Sequence, residues 1–291
     1  MALSKLSADE HGIILGQLCN ALEPRLTVYF SSASSGLRLL LTPALLQQLR
    51  ADHEVAAVLC RKMGTSCKEL REARKVQLVD KGLSAADLAT LGTLGSVLPA
   101  LETLVLVESS VSAGHDGVQR LAERLSVGAL PAVTILTLSM HVGDAGASAL
   151  AAALGRGALP RLKTLALANA AITDAGLVAL APALRRRPAL EHIGLMGNPL
   201  GEEGIIALVA PPPPAGALSP PTGGLAKLKL LGLDGCAQVS DAGCAALAVA
   251  LNSGALPALE TITLCWDCPA SAAAKAAVFE ALVKSRGSVS S

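Results

Sequence analysis

Hydrophobic residues recur along most of the chain in one spacing, Leu-x-x-Leu-x-Leu, with copies that begin 28 to 38 residues apart. Apolar residues two positions apart, such as Leu104 and Leu106, predict a short strand with one buried face, while Val105 and Val107 point to the opposite face. Seven copies are present, the first of them degenerate. Their inward strand positions are Val76 and Leu78, Leu104 and Leu106, Leu136 and Leu138, Leu165 and Leu167, Ile193 and Leu195, Leu231 and Leu233, and Ile262 and Leu264.

After each strand the spacing of apolar residues changes to that of a helix. In the segment 174–184, Leu177, Leu180 and Leu184 fall on one helical face. Short acidic residues open several of these segments and predict N-caps, namely Asp144, Asp174 and Asp241. Because neither element can bury its apolar face alone, we expect an α/β solenoid of about seven stacked units, with parallel strands on the concave side and helices on the convex side.

The fourth full copy has the most complete pattern, with Leu190, Ile193, Leu195, Asn198 and Leu200 matching Leu-x-x-Leu-x-Leu-x-x-Asn-x-Leu. This pattern resembles the leucine-rich repeat family, specifically its long, ribonuclease-inhibitor-like class. The resemblance implies a horseshoe solenoid that binds other proteins.

The first 69 residues lack the repeat and show helical periodicity only. Apolar stripes predict helices within 7–22, 37–50 and 54–63. We therefore expect an all-helical N-terminal cap at 1–69, which covers the exposed end of a solenoid at 70–291. The proline-rich segment 211–224 predicts a surface loop between one helix and the next strand.

The segment 6–50 also resembles an F-box, a three-helix module found ahead of leucine-rich repeats. The matching positions are Ile14, Leu18, Leu22, Pro24, Leu26, Phe30, Ser31, Gly36, Leu37, Arg38 and Leu40. The resemblance implies docking of these helices on a Skp-type adaptor, with the repeats holding the substrate of a ubiquitin ligase.

The composition is unusual, since 52% of the residues are hydrophobic, 16% are charged and 1% are aromatic. Leucine in strand cores and alanine in closely packed helices account for this bias. The formal net charge of +1 provides no field for nucleic acid or anionic lipid. The longest uncharged stretch, 204–226, is broken by prolines, so we expect no membrane span.

Seven cysteines, an odd and scattered number, predict free thiols in a reducing compartment. We expect a cytoplasmic monomer, with the nucleus as the alternative compartment. The pair Cys265 and Cys268 has the spacing of a metal ligand pair, but no second pair accompanies it. We interpret both as packing residues and predict no metal and no cofactor.

Catalytic motifs are not apparent in the sequence. The five histidines have no nucleophile or carboxylate neighbour within a repeat, and no glycine-rich phosphate loop appears. The basic cluster 185–187 ends a helix, where cations complement exposed carbonyls. The sequence therefore predicts no catalytic residues and no enzyme.

The outward strand positions form a small, neutral concave face. The candidate partner-binding residues on or beside it are His192, Met196, Asp234 and Trp266, and Trp266 is the one aromatic anchor among them. We predict a non-enzymatic protein-binding module whose partner the sequence does not identify. One alternative is the F-box-type substrate receptor. Another is a Ran-type GTPase activator, because the ribonuclease-inhibitor-like class includes such proteins.

Overall fold

Seven short strands form one open parallel sheet in which each strand pairs with the next in chain order. The computed structural model describes residues 7, 9–10, 14, 19–32, 35–109, 113, 115–209, 224–264 and 268–287. The strands are β1 Lys75–Val79, β2 Thr103–Val107, β3 Ile135–Ser139, β4 Thr164–Ala166, β5 His192–Gly194, β6 Leu230–Leu233 and β7 Thr261–Leu264. The sequence predicted every one of these strands at its Leu-x-x-Leu-x-Leu copy.

Helices follow the strands and pack side by side along the other side of the sheet. Four helices precede the sheet, α1 Arg25–Ser31, α2 Ser35–Leu40, α3 Pro43–Met63 and α4 Cys67–Glu72. The remaining helices alternate with the strands, α5 Ala85–Leu94, α6 Gly117–Arg124, α7 Gly143–Gly155, α8 Asp174–Arg185, α9 Glu202–Val209, α10 Asp241–Asn252 and α11 Ala272–Gly287. The predicted α/β solenoid with N-terminal helices is confirmed.

The leucine ladder defines the core. Leu104 pairs with Leu136, and Leu136 with Leu165, so equivalent positions of successive units lie side by side. The inward strand residues are buried and alternate with partly exposed ones, as the period of two requires. The core is therefore a continuous layer of leucine between the sheet and the helices.

The predicted N-caps Asp144, Asp174 and Asp241 are wrong. Helix α8 is capped instead by Thr173, whose hydroxyl oxygen accepts a hydrogen bond from the Ala175 amide. Asp144 lies within the first turn of its own helix, and its carboxylate accepts from the Thr173 amide and hydroxyl at 2.8 and 2.7 Å. Asp174 in turn accepts from the Gly201 amide at 2.8 Å. These carboxylates therefore bond the start of the next unit rather than cap their own helix.

Asn198 makes a second kind of bond between units. Its side chain is buried, and the Nδ2 group donates to the carbonyls of Leu167 and Leu195 at 2.6 and 2.7 Å. Its Oδ1 accepts from the Ala170 and Ile172 amides at 3.1 and 3.0 Å. One amide side chain thus satisfies the turn after β4 from the neighbouring unit.

The basic cluster 185–187 meets helix carbonyls, but those that Arg187 binds belong to the preceding unit. The Arg187 guanidinium donates to the carbonyls of Leu154, Ala158 and Leu159 at the end of α7. Arg156 likewise donates to the Ala122 and Leu125 carbonyls, 3.2 and 3.3 Å away. Burial lowers the pKa of Arg187, yet the group stays a cation and complements the negative end of the helix.

The helices before the sheet differ in detail from the predicted segments 37–50 and 54–63. The first segment is broken by Thr42, which caps α3 through the Leu45 amide, and by Pro43 at the first position of that helix. From there α3 continues without interruption to Met63. It packs against α5, and Lys62 forms an ion pair with Asp87 at 2.6 Å.

Two predicted boundaries concern less clearly defined regions. Helix α4 spans residue 69, so the division of the chain into 1–69 and 70–291 stays a prediction. Of the proline-rich segment 211–224, only Gly224 belongs to the described residues. No helix in the described part of the chain is both long enough and apolar enough to cross a lipid bilayer.

Alternating charges precede the strands and link successive units. Arg74 pairs with Glu102 at 3.2 Å, and Glu191 lies between Lys163 and Lys229 at 3.3 and 3.0 Å. The hydrogen bonds from Lys229 and then Lys163 lower the pKa of Glu191. The row therefore neutralises itself along this rim of the sheet.

We expect Asn198→Ala to lower the free energy of unfolding by about 2–4 kcal/mol, because several buried backbone groups lose their partner and each costs about 1–3 kcal/mol. Urea denaturation monitored by circular dichroism measures this change. Asn252→Ala, at an exposed helix end, serves as the control and should shift stability by less than about 0.5 kcal/mol. Equal effects of the two changes would contradict the role of Asn198 between units.

We expect Glu191→Gln to lower the melting temperature near neutral pH, and the difference from wild type to vanish in acid. The pKa of Glu191 is lower in the folded chain, so its stabilising effect is complete above the ordinary glutamate pKa and is lost as the pH falls through the folded value. Thermal unfolding between neutral pH and about pH 3 tests this. Glu203→Gln, an exposed carboxylate on α9, is the control. A constant difference at every pH would contradict the assignment.

Candidate interaction surface

The open face of the sheet presents three rows of side chains, one residue from each strand in every row. The strand register places Thr137, Ala166, Gly194, Gly232 and Thr263 side by side in the middle row. The two glycines are buried although they face outward, because they carry no side chain and neighbouring atoms cover them. A Cβ on Gly232 would lie 3.5 Å from Met196 Cγ and 3.6 Å from Gly194 Cα. The floor of this face is therefore nearly bare backbone.

His192 lies at the start of β5, in the row that precedes this floor. It is half-buried, and its Nδ1 is 3.1 Å from the Thr164 hydroxyl on β4. The neighbouring strand therefore holds the imidazole ring in place. The structure shows no carboxylate paired with it among the described residues, which leaves His192 a polar border of the floor.

Met196 and Asp234 lie at the opposite end of the same two strands. Met196 is 41% exposed and contacts the floor at Gly232. The Gly197 amide donates to the Asp234 carbonyl at 2.8 Å, so the chains continue in parallel beyond the sheet. His192 and the pair Met196 and Asp234 thus border the floor from two sides. Their role in binding a partner stays a prediction.

Trp266, the predicted aromatic anchor, lies outside the described residues, as does Cys265. Cys268 is buried, and so is Cys244, whose thiol pKa is raised by burial and by the nearby Cys268. Across the described ranges of the chain, no three histidine, cysteine, aspartate or glutamate side chains converge as a metal site would require.

The helices before the sheet carry a group of exposed apolar side chains that the sequence analysis did not single out. Tyr29 is 69% exposed and Leu39 is 82% exposed, and Val28, Val55 and Val58 are each about half exposed. Among the positions matched to an F-box, Leu22 and Leu37 are instead buried. Helical periodicity finds buried stripes, so a residue such as Leu39 on the outer side gives no signal.

The structure also joins two histidines that the sequence analysis considered separately. His115 Nδ1 lies 3.1 Å from His141 Nε2, and the residues belong to consecutive units. The separation of 26 residues is close to one repeat, so aligning the repeats would have brought them together.

Comparison with known proteins is limited to one repeat and to fold. Residues 159–181, which contain β4 and the start of α8, match the family model described as Leucine Rich repeat. No curated protein matches the chain.

Among solved structures, the chain is similar to one titled "Crystal structure of Rad7 and Elc1 complex in yeast". The identity is 12%, the match covers 82% of this chain and 74% of that chain, and the TM-score is 0.33. Similarity at this level carries no argument about partners. The matched repeat and the open seven-stranded parallel sheet together give this chain the α/β fold of a leucine-rich-repeat solenoid.

Proposed function

We propose that this chain is a non-enzymatic protein-interaction module of the ribonuclease-inhibitor-like class, and that it binds a protein partner on the open face of its sheet. The observation that carries the proposal is the bare floor formed by Ala166, Gly194 and Gly232 in the middle of a seven-stranded face. A partner can approach the backbone closely there, while His192 and Met196 border the contact.

Charge on this face supports a neutral partner surface. The charged residues beside the strands form ion pairs with each other, as Glu191 does with Lys163 and Lys229. A self-neutralised rim provides little long-range attraction, so shape and buried area supply the affinity. We therefore expect a partner segment of low charge that follows the curve of the sheet.

We expect Ala166→Arg to abolish binding, because a long cation would fill the floor while its Cβ already fits. Ala245→Arg, on an exposed position of α10 at the opposite side, is the matched control. Affinity purification with quantitative mass spectrometry should find proteins retained by wild type and Ala245→Arg but lost with Ala166→Arg. Both variants should keep the wild-type stability within about 0.5 kcal/mol. Retention of every partner by a folded Ala166→Arg variant would reject the open face as the binding surface.

The F-box-type alternative is supported by a different observation, the exposed apolar side chains of the N-terminal helices. Leu39 at 82% and Tyr29 at 69% exposure leave much more apolar surface in water than the interior positions of these helices. Such a patch is typical of a protein-binding site. In this alternative the helices dock on a Skp-type adaptor, and the open face of the sheet holds the substrate.

We expect Leu39→Asp to prevent binding of a purified Skp-type adaptor to the full chain, since a charge would enter the centre of the apolar contact. Val127→Asp is the matched control, because Val127 is 77% exposed but lies in the repeats. Isothermal titration calorimetry gives the affinities. Absence of adaptor binding to wild type, or equal binding by both variants, would reject this alternative and leave the interaction module unaffected.

A further inference from the structure

Acidic side chains at the start of the helices join most neighbouring units, and they occupy one equivalent position. Asp144, Asp174, Glu202 and Asp241 each precede by two residues a glycine where adjacent helices approach closely. Each acidic side chain accepts a hydrogen bond from the start of the next helix region, at Thr173, Gly201, Ser240 and Ser271. A carboxylate is thus the regular link at this position.

His115 takes the carboxylate's place in the second unit, two residues before Gly117. Instead of bonding a backbone amide, its Nδ1 lies 3.1 Å from Nε2 of His141 in the third unit. The two rings are nearly perpendicular, at 82°, with centroids 4.5 Å apart. At this one link, two neutral nitrogen ligands replace the anion.

The separation of the two nitrogens suits a shared metal ion. With metal–nitrogen bonds of about 2.05 Å, two imidazole ligands lie about 2.9 Å apart at a right angle and about 3.4 Å apart at the tetrahedral angle. The observed 3.1 Å falls between these values. The parallel pairing of β2 with β3 sets the spacing of the loops that carry the two rings.

The surroundings leave room for further ligands from water or from a partner. His115 is exposed and His141 is half-buried, so an ion can reach both rings. The nearby carboxylates already have partners, since Asp116 accepts from Arg120 at 2.6 Å and Asp144 binds Thr173. The protein therefore offers two ligands and open coordination positions.

We propose that His115 Nδ1 and His141 Nε2 bind one divalent transition-metal ion of the imidazole-preferring group, Ni²⁺, Cu²⁺ or Zn²⁺, which then links the second and third units. One of the two nitrogens carries the proton of the present hydrogen bond. On binding, that proton moves to the other nitrogen of the same ring, so that both facing nitrogens donate a lone pair. Because the rings have no carboxylate to orient them, the affinity is in the micromolar range.

The test is calorimetric titration of Ni²⁺ into the full-length protein, purified without a histidine tag and kept reduced. Ni²⁺ is chosen over Zn²⁺ because it competes less for the free cysteines of this chain. We expect one ion per chain and a higher melting temperature with metal. His115→Gln and His141→Gln should each weaken binding more than about tenfold.

His192→Gln is the matched control, since His192 lies on the sheet and contacts Thr164 instead. It should bind Ni²⁺ as wild type does. Loss of the His115 and His141 ring signals in proton NMR on adding Ni²⁺ provides a readout of the ligands themselves. Failure of wild type to bind, or unchanged affinity in a folded His115→Gln variant, would overturn the proposal. A variant that only lowers the melting temperature equally with and without metal would show a structural contact and would also overturn it.

Discussion

Each turn from strand to helix in this fold leaves backbone amides that its own unit does not bond, and the side chain of a neighbouring unit satisfies them. The Asn198 carboxamide supplies two acceptor contacts and two donor contacts to the turn before it. Buried backbone groups without partners are costly, so the turns are stable only within the stack. This dependence explains why a single repeat does not suffice and why seven in-register strands form one continuous sheet.

Different residues meet the same demand at different units. Glu108, which is buried, accepts from the Gly82 and Leu83 amides at 3.2 and 3.1 Å. Cys236, eight residues after Leu228 as Asn198 is after Leu190, donates its thiol to the Leu195 carbonyl at 3.3 Å. The geometry of the turn thus requires a donor or acceptor at a place, and several residue types can supply it. A departure from the repeat pattern is therefore informative when the replacement residue bonds something new, as His115 does.

The strands and their register could be predicted from sequence because a leucine period of two within a period near 29 residues reports burial directly, as at Leu165 and Ile193. Contacts between units were harder, since they join residues one repeat apart. Asp144 and Asp174 have the composition of N-caps, and only the position of the next unit shows that they bond forward. The break at Thr42 was missed because the apolar stripe of Leu41, Leu45 and Leu49 continues across it, while Pro43 starts a new helix. Of the candidate site, the outward rows follow from the same period of two, whereas the closeness of Met196 to Gly232 does not.

The scarcity of aromatic residues has a structural counterpart in the open face of the sheet. Binding energy in interfaces is concentrated in tryptophan, tyrosine and arginine anchors, and the middle row offers only Thr137, Ala166, Gly194, Gly232 and Thr263. With no long side chains to lose rotamer freedom, ordering this surface costs little entropy. The parallel sheet already fixes the backbone, and Thr164 holds His192 from the side. Under the proposed function, recognition therefore depends on the complementarity of a partner to a rigid, curved backbone surface, and specificity on the few side chains at its borders.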